Sequence, residues 1–225
     1  MTALWLIRAR LKRDAGVQAL AQLLLPNDPN QKVAADHHLI WALMAENTES
    51  KRDFLYRVEA PGQFLVLASR VPDNSALFDV EAKPFVPVLA EGDRLGFLLR
   101  ANATISRRAE PGQRGKRQDI VMDRLFTVPP GERAEKRQEL VQLAGREWFD
   151  RIAKVSGFEP IKLGVDGYEQ IRVKRDDAKP LVLSQLDFSG LLQITDPASF
   201  LAALAQGFGR GRAFGLGLML IRRAM

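Results

Sequence analysis

The chain has 225 residues, with 33 basic against 27 acidic side chains, a net charge of +6 and an isoelectric point of about 9.8. Its 46% hydrophobic and 27% charged residues are typical of a globular protein whose core needs no disulfide or metal staple. The absence of cysteine excludes disulfides, cysteine zinc sites, iron–sulfur clusters and thiol nucleophiles, and two adjacent histidines argue against a histidine metal site. The modest positive excess favours a polyanionic partner.

The first part of the chain predicts a unit of order β-α-β-β-α-β. Apolar residues alternate in the first strand and recur at helical spacing around Trp41, and Pro61-Gly62 marks a turn between two further strands. In chain order, the predicted elements are a strand at 4–11, a loop at 26–31, a helix at 33–46, a hairpin at 53–69, a short helical turn at 74–78 and a strand at 80–86.

The same order of elements then restarts. Asp196-Pro197 is a strong helix start, because Asp suits the N-cap and Pro the first helical position. The predicted elements are a strand at 95–100, a basic loop at 105–119, a helix at 131–156, strands at 169–175, 181–186 and 190–194, a helix from 197 to 206 and a strand at 216–221. We therefore predict an α+β fold of two tandem ferredoxin-like (βαββαβ) domains, residues 1–90 and 91–225.

A histidine pair, His37-His38, lies on the first predicted helix. Adjacent helical residues point about 100° apart, so only one of the two can face a given site. A histidine near a helix N-terminus feels the positive end of the helix dipole, which favours the neutral form at pH 7. A neutral imidazole can serve as a general base. The alternative is two partly exposed histidines with no chemical role.

Two clusters of positive charge are candidates for phosphate binding. Residues 100–117 carry six cations against one acid, Glu110, in a Gly- and Pro-containing stretch. The candidate phosphate-binding residues of this stretch are Arg107, Arg108, Arg114, Lys116 and Arg117. A second cluster on a predicted hairpin contains Arg172, Lys174 and Arg175, and solvated surface charge is the alternative for both clusters.

The glycine-rich segment, residues 206–219 (QGFGRGRAFGLGLM), would let a backbone approach a partner closely. It is neither a dinucleotide fingerprint nor an NTPase phosphate loop, because its spacing and its place after a helix are wrong for both. We therefore expect no small-molecule cofactor. The alternative is a helix C-cap followed by a tight loop. The candidate partner-binding residues here are Gly207, Gly209, Arg210, Gly211, Arg212, Gly215 and Gly217.

These motifs together resemble one family. The helix HHLIWALM, the strand DFLYRVE, the strand LGFLLRAN before a basic loop ending in GKRQDIV, and GFGRGRAFGLGLM are similar to the repeat-processing endoribonucleases of type I-E CRISPR systems, the CasE family. The resemblance runs along nearly the whole chain. In that family the catalytic histidine precedes the helix tryptophan by four residues, which implies that His37 is catalytic.

The resemblance implies cleavage of a CRISPR repeat RNA hairpin by its own 2′-hydroxyl, leaving a 2′,3′-cyclic phosphate and a 5′-hydroxyl without a metal. It also implies that the protein stays bound to the guide RNA as a subunit of the surveillance complex. Relatives often have Tyr three residues before the histidine, where this chain has Ala34. The second proton-transfer group is therefore open, with Lys32 or an arginine near the glycine-rich segment as alternatives.

Two other classes of function remain open from the sequence. One is a non-catalytic RNA-binding subunit of such a complex, and the other is a module that binds an acidic protein. The short N-terminal apolar run has its charges after it rather than before it, and no segment is long enough to span a membrane. We therefore expect a cytoplasmic location and no membrane partner.

Overall fold

The computed structural model describes residues 3–45, 52–73, 75–107, 115–175 and 178–224, and for Gln22 and residues 174, 175 and 178 it describes the backbone alone. The chain forms two compact units. The first unit holds the described residues of Met1–Val88, Ile171–Leu183 and Gly211–Leu218; the second holds those of Leu89–Gln170, Ser184–Arg210 and Met219–Met225. The division into domains 1–90 and 91–225 stays a prediction, because compactness does not show which segments fold alone.

A four-stranded antiparallel sheet forms the centre of the first unit. Its strands lie in the order β2-β3-β1-β4, which is the ferredoxin-like order. The strands are β1 (Leu4–Leu11), β2 (Phe54–Ala60), β3 (Gln63–Ala68) and β4 (Phe78–Phe85). Between β1 and β2 lie three helices, α1 (Ala15–Ala19), α2 (Ala21–Leu24) and α3 (Pro29–Met44).

The predicted helical turn at 74–78 is wrong for the residues that the structure describes there. Asn74 lies outside the described residues, Ser75–Leu77 form no helix, and Phe78 already belongs to β4. The Ser75 hydroxyl accepts hydrogen bonds from the backbone N–H groups of Leu77 and Phe78, at 3.2 and 3.1 Å. This side-chain turn competes with helical backbone pairing and leads the chain directly into the strand.

A second four-stranded antiparallel sheet forms the second unit, and its order, β10-β5-β9-β8, is again ferredoxin-like. The strands are β5 (Arg94–Asn102), β8 (Phe158–Arg175), β9 (Ala178–Ile194) and β10 (Met219–Arg223). The helices of this part of the chain are α4 (Ile120–Leu125), α5 (Arg133–Val155) and α6 (Pro197–Gln206). The fold class predicted from the sequence is confirmed, and Asp196 caps α6 as expected, accepting from the N–H groups of Ala198 and Ser199.

Two segments are more regular than the sequence predicts. The stretch predicted as a basic loop at 105–119 contains two paired strands, β6 (Thr104–Arg107) and β7 (Lys116–Asp119), which we call the basic hairpin. The three strands predicted between 169 and 194 are two long strands, β8 and β9. Their ends at 171–183 belong to the first unit, which explains why short buried runs alternate with polar ones in this part of the sequence.

Helix α5 packs closely on the second sheet at a glycine. Gly145 is buried, and a Cβ placed on it would overlap Cγ1 of Val165 on β8, with the Val165 Cγ2 and Cβ at 3.2 and 3.3 Å. Because valine is stiff about χ1, its methyl groups cannot rotate away at low cost. The glycine is therefore a packing requirement, although glycine weakens a helix interior by about 0.5–1 kcal/mol relative to alanine.

Gly145→Ala is expected to lower the free energy of unfolding by about 1–2 kcal/mol. The cost of overpacking, about 1–3 kcal/mol, exceeds the gain in helix propensity, about 0.5–1 kcal/mol. Gly131→Ala is the matched control, because a Cβ there meets nothing within 4 Å. Denaturant unfolding of both variants checks this, and a Gly145→Ala protein as stable as wild type would contradict it.

Candidate active site

Helix α3 places His37 between two packing surfaces of the first unit. The C-terminal half of the helix buries Leu39, Ile40, Leu43 and Met44 against the first sheet. Near its N-terminal end, Val33 and Ala34 pack on an apolar cluster formed by the ends of β8 and β9 and by Leu216. His37 lies where these surfaces meet and is half-buried, whereas His38 is exposed.

The helix begins earlier than the sequence predicts, which changes the electrostatic argument for His37. Asp28 caps it by accepting from the Gln31 N–H at 2.9 Å, and Pro29 occupies the first position. His37 is therefore in the middle of a 16-residue helix rather than near its start. The expectation that the helix dipole favours its neutral form is wrong, because that effect falls off within the first turn.

The imidazole of His37 is held by a backbone carbonyl of the glycine-rich segment. Its Nδ1 lies 2.7 Å from the carbonyl oxygen of Ala213, which is 176 residues away in sequence. A carbonyl oxygen can only accept, so Nδ1 carries the proton and donates. In the neutral ring this leaves the lone pair on Nε2, which is the nitrogen that can act as a base.

The carbonyl is presented by a short 3₁₀ turn at Arg212–Phe214. Gly211 before the turn and Gly215 after it are both left-handed, with φ of 70° and 77°, a conformation that residues with a Cβ adopt at a cost. The Phe214 ring lies 5.0 Å from the His37 ring, centroid to centroid. The two left-handed glycines thus allow the tight turn that brings the Ala213 carbonyl to the histidine, and the Phe214 ring packs beside it.

The same carbonyl accepts a second hydrogen bond, from Tyr56 on β2. The Tyr56 hydroxyl is 3.1 Å from the Ala213 oxygen, and the side chain is almost fully buried. Its ring is packed so closely that a Cβ on Gly215 would lie 3.0 Å from Tyr56 Cε2. Burial raises the pKa of Tyr56 far above its ordinary value, and the Asp36 carboxylate acts in the same direction, so the phenol is a proton donor at all working pH values.

Burial also sets the protonation state of His37. It lowers the pKa of His37 below the ordinary value; the Ala213 hydrogen bond opposes this change, and His38 adds to the lowering. The neutral, base-competent ring is therefore the favoured form at neutral pH. Desolvation raises the pKa of Asp36 on the preceding position to about 6, against the lowering effect of Lys32.

A guanidinium group adds positive charge to this part of the unit. Arg52 is half-buried, and its Nη1 donates to the Phe54 carbonyl at 2.7 Å. Burial lowers the pKa of Arg52, and the positive charge of Arg212 lowers it further. The positive charges of Arg52 and Arg212 repel each other, and an anion bound near them would relieve this repulsion.

The structure brings together some of the residues predicted from the glycine-rich segment and the second cluster. Gly211, Arg212, Gly215 and Gly217 belong to the first unit with His37, as does Arg172, whose N–H donates to the Asn30 side chain on α3 at 2.8 Å. Lys174 and Arg175 lie on β8, but their side chains are outside the described ones.

The remaining glycine-rich residues, Gly207, Gly209 and Arg210, belong to the second unit. Gly207 caps α6, as the alternative interpretation of this segment expects, and it donates to the Ala203 carbonyl at 2.8 Å. Gly209 has φ of 73° and passes so close to β5 that a Cβ would lie 3.0 Å from the Asn102 oxygen. The adjacent Arg210 is exposed and pairs with Asn102 through its backbone.

The basic hairpin, also in the second unit, presents Lys116 and Arg117 at the surface. Arg107 is exposed but engaged: its Nε and Nη2 donate to the Asp123 carboxylate, with a shortest distance of 2.7 Å. Only its remaining N–H groups are left for another partner. Arg108 and Arg114 lie outside the described residues, and Arg100, from the same stretch, pairs bidentately with Asp187 on β9 at 2.7 and 2.9 Å.

Two classes of site find no support in the described part of the chain. Its His, Asp and Glu side chains form no group of three or more that could hold a metal ion. Among its helices, none is both long and apolar enough to cross a membrane.

The described chain has two ferredoxin-like sheets, a histidine on the first long helix held by a backbone carbonyl, and a glycine-rich C-terminal segment. These features define an α+β protein of the double ferredoxin-like class with a candidate site at the histidine. The profile of the family described as CRISPR associated protein matches residues 4–223, and the chain belongs to this family.

The chain is similar to a relative in sequence and to solved structures in fold. The CRISPR-associated endoribonuclease Cse3 of Thermus thermophilus is 29% identical over 194 residues, which cover 77% of this chain and 81% of the relative. A structure of Thermus thermophilus Cse3 bound to an RNA representing a pre-cleavage complex is 25% identical, with a TM-score of 0.67 and coverage of 98% and 99%. Cas6e from Escherichia coli K-12, at 20% identity, TM-score 0.63 and coverage of 98% and 100%, is similar in fold.

Sequence reasoning found His37 but missed the residues around it. Asp36 and Arg52 lie outside the motifs, whereas Tyr56 and Ala213 lie within DFLYRVE and GFGRGRAFGLGLM. No role was predicted for either of these two, and Ala213 contributes only backbone. One signal was available: Tyr56 follows Phe54 and Leu55 in a predicted strand, where burial is favoured, and a buried tyrosine hydroxyl needs a hydrogen-bond partner.

Asp36→Asn is expected to stabilise the protein at about pH 8 and not at about pH 4. A carboxyl whose pKa rises to about 6 on folding binds its proton more tightly in the folded state, so stability falls as pH rises from about 4 to 6. The amide of the variant cannot ionise and escapes this loss, a gain of about 1 kcal/mol once solvent screening of the partly exposed group is allowed for.

The measurement is denaturant unfolding at both pH values. Asp79→Asn is the matched control, because Asp79 is exposed on β4 of the same unit. If Asp36→Asn raised the free energy of unfolding equally at both pH values, or not at all at about pH 8, then ionised Asp36 would not destabilise the folded protein.

Proposed function

We propose that this chain is an endoribonuclease that cleaves CRISPR precursor RNA within the repeat hairpin and stays bound to the mature guide RNA as a subunit of a type I-E surveillance complex. Family membership and the Cse3 relative support RNA endonuclease activity. The observation that carries the proposal is His37, a half-buried imidazole whose Nδ1–H is taken by the Ala213 carbonyl. Such a ring offers a single basic nitrogen in a fixed direction.

The chemistry that suits this site is transesterification by the RNA itself. The 2′-hydroxyl next to the scissile phosphate gives its proton to Nε2 of His37, its oxygen bonds to phosphorus, and the bond from phosphorus to the 5′-oxygen breaks. The products are a 2′,3′-cyclic phosphate and, once the leaving oxygen takes a proton, a 5′-hydroxyl. The protein then supplies alignment, a base and positive charge for the phosphate oxygens, and it needs no metal.

Binding of the RNA stem is proposed to use positive side chains and close backbone approach. The basic hairpin contributes Lys116 and Arg117, together with Arg108 and Arg114 and the remaining N–H groups of Arg107. Arg172, Lys174 and Arg175 form a second contact, and the glycine-rich segment a third, through Gly207, Gly209, Arg210, Gly211, Arg212, Gly215 and Gly217. We expect no small-molecule cofactor.

One observation favours a second candidate, a non-catalytic RNA-binding subunit with the same fold. Ala34 replaces the tyrosine often found three residues before the histidine in relatives, and here it packs against the apolar ends of β8 and β9. No phenol can donate a proton from that position. The first test below separates the two candidates.

His37→Ala is expected to reduce RNA cleavage by about 10²- to 10⁴-fold, because a general base contributes on this scale to the transition state. Its affinity for the RNA should stay within a few-fold of wild type, since the imidazole need make little contact in the ground state. Single-turnover cleavage of the repeat RNA and a filter-binding titration measure the two. His38→Ala is the control; if it were the inactive variant, the assignment would be wrong.

Cleavage is expected to continue in excess EDTA and to stop when the 2′-hydroxyl at the cleavage position is replaced by hydrogen. The RNA hydroxyl is the only nucleophile that this mechanism provides. Mass spectrometry of the 5′ fragment should find the cyclic phosphate. Loss of activity in EDTA that magnesium restores would contradict the metal-independent mechanism.

Replacing Lys116 and Arg117 together by Ala is expected to weaken RNA binding and flatten its salt dependence. Each phosphate contact removed reduces the slope of log K against log salt by about 0.7–0.9, so two contacts reduce it by about 1.4–1.8. The fold should persist, because both side chains are exposed.

The matched control is the double replacement of Arg8 and Arg10 by Ala. These arginines are exposed on one strand, β1, where both pair with Glu81. Each double variant removes two positive charges, so the net charge changes equally. Equal losses in the two double variants would mean that RNA binding senses overall charge and not the basic hairpin.

A further inference from the structure

We propose that Tyr56 is a positioning residue, whose hydroxyl holds the Ala213 carbonyl in the place from which that carbonyl fixes the imidazole of His37. The effect on cleavage rests on the proposed function. The effect on His37 itself concerns the free protein and stands apart from it.

Tyr56 and His37 share one hydrogen-bond acceptor, the Ala213 carbonyl. Tyr56 Oη donates to the Ala213 oxygen at 3.1 Å, and His37 Nδ1 donates to the same oxygen at 2.7 Å. A carbonyl oxygen has two lone pairs, so the two donors together satisfy it. Tyr56 does not replace the phenol missing at position 34, because it is buried and its proton is committed to this carbonyl.

The turn that carries Ala213 needs an external anchor. It is a three-residue 3₁₀ turn without a side-chain cap, and left-handed glycines at both ends leave its orientation free to vary. Strand β2, by contrast, is paired with β3 along its length. The hydroxyl of Tyr56 therefore connects a rigid strand to a turn whose own backbone does not fix the carbonyl direction.

Packing between the two elements supports the same conclusion. Gly215, directly after the turn, lies against the Tyr56 ring so closely that a Cβ would be 3.0 Å from Cε2. The tyrosine ring thus sets the distance of the turn from β2, while the hydroxyl sets the direction of the carbonyl. Glycine at position 215 serves both the left-handed backbone and this contact.

A consequence for His37 follows with a definite sign. The Ala213 hydrogen bond raises the pKa of His37 against the larger effect of burial. If the carbonyl turns away when the Tyr56 hydroxyl is removed, His37 loses this hydrogen bond and its pKa falls. If the carbonyl stays in place without Tyr56, its oxygen serves His37 alone, and the pKa stays or rises.

Other groups on the surrounding elements also act on the charge of the ring and remain unchanged in this comparison. In the described part of the first unit, the charged groups on the surrounding elements are Lys32, Asp36 and His38 on α3, Arg52 and Asp53 before β2, Arg57 and Glu59 on β2, Arg212 in the 3₁₀ turn and Arg172 on β8.

The test is Tyr56→Phe, which removes the hydroxyl and keeps the ring. An NMR titration of the His37 ring in the free protein should give a lower midpoint than wild type. The rate of single-turnover cleavage at saturating RNA should fall about 10- to 100-fold, as expected for a displaced catalytic group. The acid limb of its pH profile should move to lower pH with the midpoint.

Tyr168→Phe is the matched control, because Tyr168 is the second of the chain's two tyrosines and donates its hydroxyl to Asp119 in the second unit. It should leave the His37 midpoint and the acid limb in place. Should Tyr56→Phe fail to fold, Gly215→Ala pushes a methyl group onto the Tyr56 ring and should lower the midpoint in the same direction.

An unchanged or higher His37 midpoint in folded Tyr56→Phe overturns the proposal. A lower midpoint with no cleavage by any variant, wild type included, supports the positioning role and overturns the proposed function. The two failures are therefore distinguishable.

Discussion

The hydrogen bond from His37 Nδ1 to the Ala213 carbonyl is the constraint on which the rest of the active site depends. It assigns the proton to one ring nitrogen and leaves the lone pair on the other, which is the form that the proposed general base requires. The glycine-rich segment makes it possible, because left-handed residues on both sides of the turn let a carbonyl approach the helix. Half-burial of the ring keeps it neutral, and positive charge from Arg52 and Arg212 would oppose the charge that develops on a phosphate.

This constraint joins parts of the chain that are far apart in sequence. The first unit is completed by the ends of β8 and β9 and by residues 211–218, and the hydrogen bond itself spans 176 residues. The orientation of the His37 ring therefore depends on a contact with the last part of the chain. Apolar packing of Val33 and Ala34 against this late segment couples the position of the helix to the same event.

The sequence predicts the parts of this structure that depend on local patterns. Strand β1, the hairpin at 53–69 and helix α6 follow from alternation, a Pro-Gly turn and a Pro at the first helical position. Local patterns do not predict the turn made by Ser75, because a side-chain hydrogen bond there replaces helical pairing. They do not predict the length of β8 and β9 either, because strand pairing overrides local preference. His37 carried a motif, whereas Ala213 acts through its backbone and Tyr56 through a contact made only in the folded unit.

The tautomer of His37 in the free protein tests the account most directly. Long-range ¹H–¹⁵N spectra distinguish a ring protonated on Nδ1 from one protonated on Nε2, and His37→Gln assigns the signals against His38. Above the midpoint of its titration, His37 should carry its proton on Nδ1. A ring protonated on Nε2, or an even mixture of the two forms, would contradict the central claim, because the lone pair would then face the carbonyl instead of the RNA.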